Sequence, residues 1–230
     1  MINKQVASMQ EAMAGIADGS SVLVGGFGAV GQPNILIEAL AEHGARDLTI
    51  IANNAGFDPD IGLPVLMKRG LVRKIVCSFP RGSSVFDELY QAGRIELEVV
   101  PQGTLAERIR AAGAGIPAFF TPTSAGTQLA RGKETREIDG RTYVLEHALP
   151  GDVALVEAWN ADRWGNLTYR GSGRNFNAVM AMAAKCTIVQ AQHIVELGAI
   201  EPDDVMTPSI FVDRVIHRPC GDPPIAAIAS

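Results

Sequence analysis

The sequence predicts an α/β protein: an open, mostly parallel sheet with helices on both faces, plus a β-hairpin and loop-rich insertion. Three observations carry this expectation. Between residues 21 and 112, short apolar runs alternate four times with helix-like stretches, the rhythm of strand–helix units in a parallel sheet. The first run, Ser21-Val22-Leu23-Val24, opens into Gly25-Gly26-Phe27-Gly28-Ala29-Val30-Gly31 and then Pro33. A strand thus leads through a glycine turn into a helix start, where backbone N–H groups can approach an anion. Further on, Asp139-Gly140 separates 134–138 from 141–145, and Asp-Gly favours a type I′ hairpin turn.

In chain order, Val6, Met9, Met13 and Ile16 recur at three- and four-residue steps and predict an amphipathic helix ending near Gly19. Pro33 suits a first helical turn, and Ile35, Leu36, Ala39 and Leu40 give 34–43 an apolar face, closed by Gly44. A strand over 48–51 ends in Asn53-Asn54-Ala55-Gly56. Residues 62–69 read as helix, 74–78 as strand, and 84–92 as helix with Ser84 as N-cap. The strand 97–100 runs into Pro101-Gln102-Gly103-Thr104, with Thr104 capping a helix over 105–112 and Glu107 completing a capping box. Residues 113–132 read as a long shaped loop around Ala118-Phe119-Phe120. After the hairpin, 153–159 and 166–169 are strands around the turn Asp162-Arg163-Trp164-Gly165. A helix over 177–184 and strands over 187–190 and 211–216 complete the pattern. Residues 1–218 are expected to form a single domain and 219–230 a poorly ordered tail.

Composition narrows the function classes. The chain of 230 residues is 47% hydrophobic and 20% charged, which suits a folded domain with a sizeable core. A net charge of −5 supplies no basic field for nucleic acid. Cys77, Cys186 and Cys220 are odd in number and form no C-x-x-C pair, so reduced thiols without a catalytic role are expected. The N-terminus lacks a secretory h-region, and no apolar run approaches the ~20 residues of a bilayer span. A cytoplasmic protein without membrane contact is the expectation.

Three strand ends deliver unusual residues to the carboxyl edge, where open parallel sheets bind ligands: the glycine loop, Asn53-Asn54, and Gln102-Gly103-Thr104. Uncharged amides both donate and accept, which suits orienting a carbonyl or carboxylate rather than moving protons. Gly26 to Gly31 also fits G-x-G-x-x-G, but a dinucleotide site needs an acid after the second strand, and Asn53-Asn54 stands there. No Gly-Lys-Ser/Thr follows the glycines, which excludes a P-loop. His43, His147, His193 and His217 share no ligand spacing, and no G-x-S-x-G elbow is present, so neither a metal site nor a serine nucleophile is expected. The amide-rich run Ser172-Gly173-Arg174-Asn175-Phe176-Asn177 is either a helix lead-in or a binding segment.

The glycine loop, Asn53-Asn54-Ala55-Gly56, Pro101-Gln102-Gly103-Thr104-Leu105-Ala106-Glu107-Arg108, Gly115-Ile116-Pro117-Ala118-Phe119-Phe120-Thr121-Pro122, Asp162 to Arg170 and Arg174-Asn175-Phe176-Asn177 together resemble, in order, the A (alpha) subunit of family I coenzyme A-transferases. The resemblance implies transfer of CoA from succinyl-CoA to a 3-oxo acid, with 3-oxoadipate the expected acceptor and acetoacetate the alternative. It implies no bound cofactor beyond the CoA thioester substrate. The nucleophilic glutamate of such enzymes belongs to the B (beta) subunit, in a Ser-Glu-Asn-Gly motif, and no glutamate here is followed by asparagine. An obligate B partner, in an A2B2 heterotetramer, is therefore implied, with no catalytic nucleophile in this chain. By the same resemblance, Gly25, Gly26, Phe27, Gly28, Ala29, Val30 and Gly31 bind CoA, while Asn53, Asn54, Gln102 and Gly103 orient substrate. The chain departs from the pattern at Gly171-Ser172-Gly173 and Ser124-Ala125-Gly126, which bears on acceptor choice.

Overall fold

The computed structural model describes residues 2–219, so the expected tail lies outside the described residues from 220 onward. The first half runs α1 (Met9–Met13), β1 (Ser21–Val24), α2 (Asn34–His43), β2 (Leu48–Ala52), α3 (Leu63–Lys68), β3 (Val72–Cys77), α4 (Ser84–Gln91), β4 (Glu96–Val99) and α5 (Gln102–Gly113). The second half runs β5 (Ala118–Thr121), β6 (Thr135–Ile138), β7 (Arg141–His147), β8 (Gly151–Ala161), β9 (Leu167–Thr168), α6 (Asn175–Ala181), β10 (Ala184–Ile194) and β11 (Arg214–His217).

The main sheet has the order β11-β10-β8-β1-β2-β3-β4, with β9 antiparallel on β8 and all other pairings parallel. Successive strands step outward from β1 to β4, then the chain returns to the far side of β1 with β8. That reversal between β1 and β8 is the topological switch point, where loops on the two sides diverge and leave a crevice. Both faces of the sheet are covered at its centre, which is why β1 and β2 are apolar on both sides. Val22, Val24, Ile50, Ile75 and Leu155 pack under α1 to α4 with Met13, Leu36, Leu40, Leu66 and Phe86. Leu23, Ile51, Val76, Ala154 and Val189 pack against Leu105 and Ile109 of α5 and Phe176 and Met180 of α6.

The insertion is a three-stranded antiparallel sheet of order β5-β7-β6. Its hairpin turn places Asp139 at φ 51° and Gly140 at φ 74°, the pair of left-handed residues a type I′ turn requires. Arg108 of α5 ties this sheet to the main one, donating from Nε to the His147 carbonyl at 2.8 Å and pairing with Glu98 at 3.0 Å. Burial alone would raise the Glu98 carboxyl, but hydrogen bonds from Lys74 and Arg108 outweigh it and hold it below the usual range.

Several boundaries differ from the sequence expectation for identifiable reasons. The first helix has only five residues, because the N-terminal chain is recruited to the sheet edge: Val6 N–H bonds the Val215 carbonyl at 2.9 Å. Pro33 sits one position earlier than expected, as the N-cap of α2. The N-cap of α4 is Ser83, whose Oγ accepts from Phe86 N–H, rather than Ser84. No capping box forms at Thr104, since α5 already begins at Gln102 behind Pro101, and Glu107 pairs with Arg110 instead. Within 113–132, the apolar triplet becomes strand β5 because its main chain pairs with β7. Helix α6 starts and ends earlier than expected, since Ala184 belongs to β10, and β11 is confined to Arg214–His217 behind a 3-10 turn.

Candidate active site

The glycine loop leaves β1 at the switch point and folds back on itself. Phe27 N–H bonds the Val30 carbonyl at 3.0 Å and Val30 N–H returns to Phe27 at 3.1 Å, with Gly28 at φ 61° forming the corner. Gly25 N–H goes to Leu155, Gly26 N–H to Asn175 Oδ1, and Gly28 N–H to Asn53 Oδ1. Among the described residues, only the N–H groups of Ala29 and Gly31 find no partner in the loop, so it does not present the continuous cradle of donors its sequence suggests. Gly25 and Gly26 are buried, whereas Phe27 and Val30 project outward, 53% and 51% exposed.

On the β2 and β4 side, three predicted residues meet at the tip of this loop. Asn53 accepts from Gly28 N–H at 3.1 Å and donates from Nδ2 to Gln102 Oε1 at 2.8 Å. Asn54 donates to the Gly28 carbonyl at 3.2 Å and accepts from Gly56 N–H at 2.7 Å. Both asparagines are almost fully buried, so their bonds to the loop lack competition from water. Since Gln102 accepts through Oε1, its Nε2 is left facing outward with two donor hydrogens and no partner among the described residues. Gly103 lies exposed in the same first turn of α5, where a side chain would meet nothing within 4 Å. The N–H groups of that turn add the positive end of a helix dipole beside Gln102.

On the β8 side, a cleft of about 660 Å³ lies between the loop and the 3-10 turn Gly171–Arg174. Its lining includes Val30, Gln32, Trp159, Arg170, Gln190 and Glu157, the last its only carboxylate among the described residues. The Arg170 guanidinium stacks 4.5 Å above the Trp159 ring. Gln190 is buried and donates to Glu157 at 3.2 Å, while its Oε1 has no partner among the described residues. Burial pushes the Tyr169 phenol up to about 12, partly offset by its hydrogen bond with Thr207, so it stays neutral and supplies no general base. Burial likewise pushes the Cys77 thiol up to about 12, far from a reactive thiolate. Among the described residues no group of three or more His, Cys, Asp or Glu side chains gathers around a common point, and no helix is long and apolar enough to cross a membrane.

A neutral amide cluster of this kind can orient a carbonyl or carboxylate but supplies no nucleophile. A family model described as coenzyme A transferase matches residues 6–218. The chain belongs to the coenzyme A transferase family. It is 62% identical over 218 residues to the A subunit of 3-oxoadipate CoA-transferase from Pseudomonas putida, covering 94% of each chain. The protein of the same name from Acinetobacter baylyi is 55% identical, covering 94% of this chain and 95% of that one. Among solved structures, an acyl-CoA transferase of Escherichia coli O157:H7, crystallised as a thioester complex with CoA, superposes with a TM-score of 0.84 at 26% identity. The match takes in 96% of this chain and 48% of that one, so this chain spans about half its length. As a member of the family, the protein is a CoA-transferase subunit whose substrate is a CoA thioester.

Sequence reasoning left Asn175 and Asn177 undecided, and the structure brings both against the glycine loop from the side of α6. It gave no sign of Trp159 or Gln190, whose strand positions look like ordinary core until the cleft they line is seen.

Proposed function

We propose that this chain is the A subunit of a heteromeric CoA-transferase that moves CoA from succinyl-CoA to a 3-oxo acid, with 3-oxoadipate as the acceptor. In this reading the B subunit's glutamate attacks the succinyl thioester carbonyl and expels CoA thiolate, leaving a succinyl–glutamyl anhydride. The thiolate then attacks the glutamyl carbonyl, releasing succinate and leaving a glutamyl-CoA thioester. The 3-oxo acid runs the two steps in reverse and departs as its CoA thioester. The carboxyl edge of this chain supplies the opposite wall, with the glycine loop against CoA, and Asn53, Asn54, Gln102 and Gly103 around the reacting acyl group.

The observation that carries the reading is the outward Nε2 of Gln102, held that way by Asn53. A fixed donor aimed at the oxygen that gains charge when a thioester is attacked lowers the barrier, because no reorganisation is needed as charge develops. The acceptor is assigned from the two 3-oxoadipate relatives, and two chains of each kind complete the complex.

Co-expression with a B-type partner, then assay of succinyl-CoA with 3-oxoadipate and with acetoacetate, tests the proposal. Transfer to 3-oxoadipate by the heteromer, and none by this chain alone, is the expected result. Transfer by this chain alone would remove the partner from the mechanism. Efficient transfer to acetoacetate alone would replace the acceptor, and none to any 3-oxo acid would remove the reaction.

A further inference from the structure

We propose that Asn177 and Asn175 are positioning residues for the transfer reaction, acting on Gln102 through the glycine loop. The inference rests on the role just assigned to Gln102. Asn177 is fully buried and every part of its amide is engaged. Oδ1 accepts from Glu157 N–H at 2.9 Å, and Nδ2 donates to the carbonyls of Gly31 at 2.8 Å and Gly173 at 2.9 Å. The fit is so close that a Cβ on Gly25 would fall 1.8 Å from Asn177 Oδ1. Asn175 grips the loop next to it. Its Oδ1 accepts from Gly26 N–H at 3.1 Å, and its Nδ2 donates to Val30 and Ser172 carbonyls, both at 2.9 Å.

These contacts fix the loop at Gly26, Val30 and Gly31. The turn between those points has one free end, its tip at Gly28, and the tip is what Asn53 and Asn54 hold on the other side. A hydrogen-bonded path therefore runs from α6 through the loop to Asn53, and from Asn53 Nδ2 to Gln102 Oε1. The last link has two discrete states. With Gly28 N–H in place, Asn53 is held with Nδ2 toward Gln102, and Gln102 must accept inward and donate outward. If the tip withdraws, Asn53 Oδ1 loses Gly28 N–H, and its other donor, Asn54 Nδ2 at 3.1 Å, loses its own bond to the Gly28 carbonyl, so the hold on the Asn53 orientation loosens. Gln102 is then free to turn, presenting an oxygen to the developing oxyanion in place of an N–H. An acceptor there opposes the transition state while leaving the bulk of substrate binding untouched.

A double-mutant cycle in the assembled heteromer separates this from a merely structural role. Asn175→Ala and Asn177→Ser are each made alone and with Gln102→Ala, and kcat and KM for succinyl-CoA are measured. Each single variant is expected to lower kcat by about tenfold or more with KM within about twofold, and to cost less than about twofold once Gln102 is alanine. A loss of the same size in both backgrounds, or no loss at all, overturns the proposal while leaving the transfer reaction standing. If Gln102→Ala alone keeps full activity, the role of Gln102 fails and the proposal fails with it. Should Asn177→Ser not assemble, the Asn175 cycle decides by the same criteria.

Discussion

The two flanks of the glycine loop use the same side chain, asparagine, to opposite ends. On the β2 and β4 flank, Asn53 and Asn54 hold the loop tip and pass an orientation on to Gln102, whose donor still faces outward. On the α6 flank, Asn175 and Asn177 turn wholly inward and tie the loop to β8 and to the 3-10 turn. One flank presents and the other anchors. The difference shows that an amide at a carboxyl edge is not by itself a substrate contact; what matters is which of its hydrogens and lone pairs the fold leaves over.

The anchoring flank has the least tolerance, so the largest effect is expected there. Gly25→Ala puts a methyl group on Asn177 Oδ1, and neither a strand end nor a fully bonded buried amide can yield cheaply. Overpacking of this kind costs about 1–3 kcal/mol, and a thermal melt of the heteromer should fall accordingly while activity is largely lost. An unchanged melt and full activity would show that the anchor is slack. Gln102→Ala comes next, with kcat down about 10²–10³-fold and assembly intact, which steady-state kinetics on gel-filtered heteromer will show.

Asn53→Asp sharpens the contrast within the presenting flank. Ionised aspartate accepts but cannot donate, so it would face Gln102 Oε1 with a second oxygen and turn the Gln102 amide inward. The expected kcat approaches that of Gln102→Ala, and the two changes together should cost little more than one. Additive losses would mean that Asn53 touches substrate directly.

The smallest effect is expected at the opposite, amino edge of the sheet. There Asp152 accepts from Lys185 at 2.8 Å and from both the N–H and the hydroxyl of Ser21. These bonds, Lys185 first, hold its carboxyl down at about 2 against an ordinary value of 3.8. A lowered folded-state value means that the stabilisation is present above the ordinary carboxylate range and is lost as pH falls through about 4 toward 2. The pair is well exposed, so Asp152→Asn should lower the melting temperature by only about 1–3 °C at neutral pH, with the difference closing in acid. A difference that persists at the acid end would point to packing rather than charge. Activity should not change at all, because this edge is remote from the amide cluster.

The fold was legible because its strongest signals are local. Helix α2 begins and ends at the residues its apolar face and Gly44 mark, and Gly44 does take the left-handed conformation, φ 82°. Strands β1 and β2 are short and apolar on both faces, as covered parallel strands must be. The misjudged features depend on contacts distant in sequence. Val6 belongs to the sheet edge only because β11, some two hundred residues later, lies beside it. The triplet Ala118-Phe119-Phe120 looks like loop until β7 pairs with it. At the site, Asn53, Asn54 and Gln102 stood out as polar residues directly after apolar strands. Trp159 and Gln190 did not, because a strand sequence does not reveal where its covering helices stop. Asn175 and Asn177 read equally as helix lead-in or binding segment for the same reason: the partner that gives them meaning is the glycine loop, nearly 150 residues upstream.

The central claim is that this chain orients the thioester and lacks the nucleophile. Intact-mass measurement of both chains, after incubating the heteromer with succinyl-CoA and no acceptor, tests it most directly. The account predicts that the mass of a glutamyl-bound CoA appears on the partner and that this chain stays unmodified. CoA mass on this chain, abolished by Glu157→Gln at the carboxylate that lines the cleft, would contradict it.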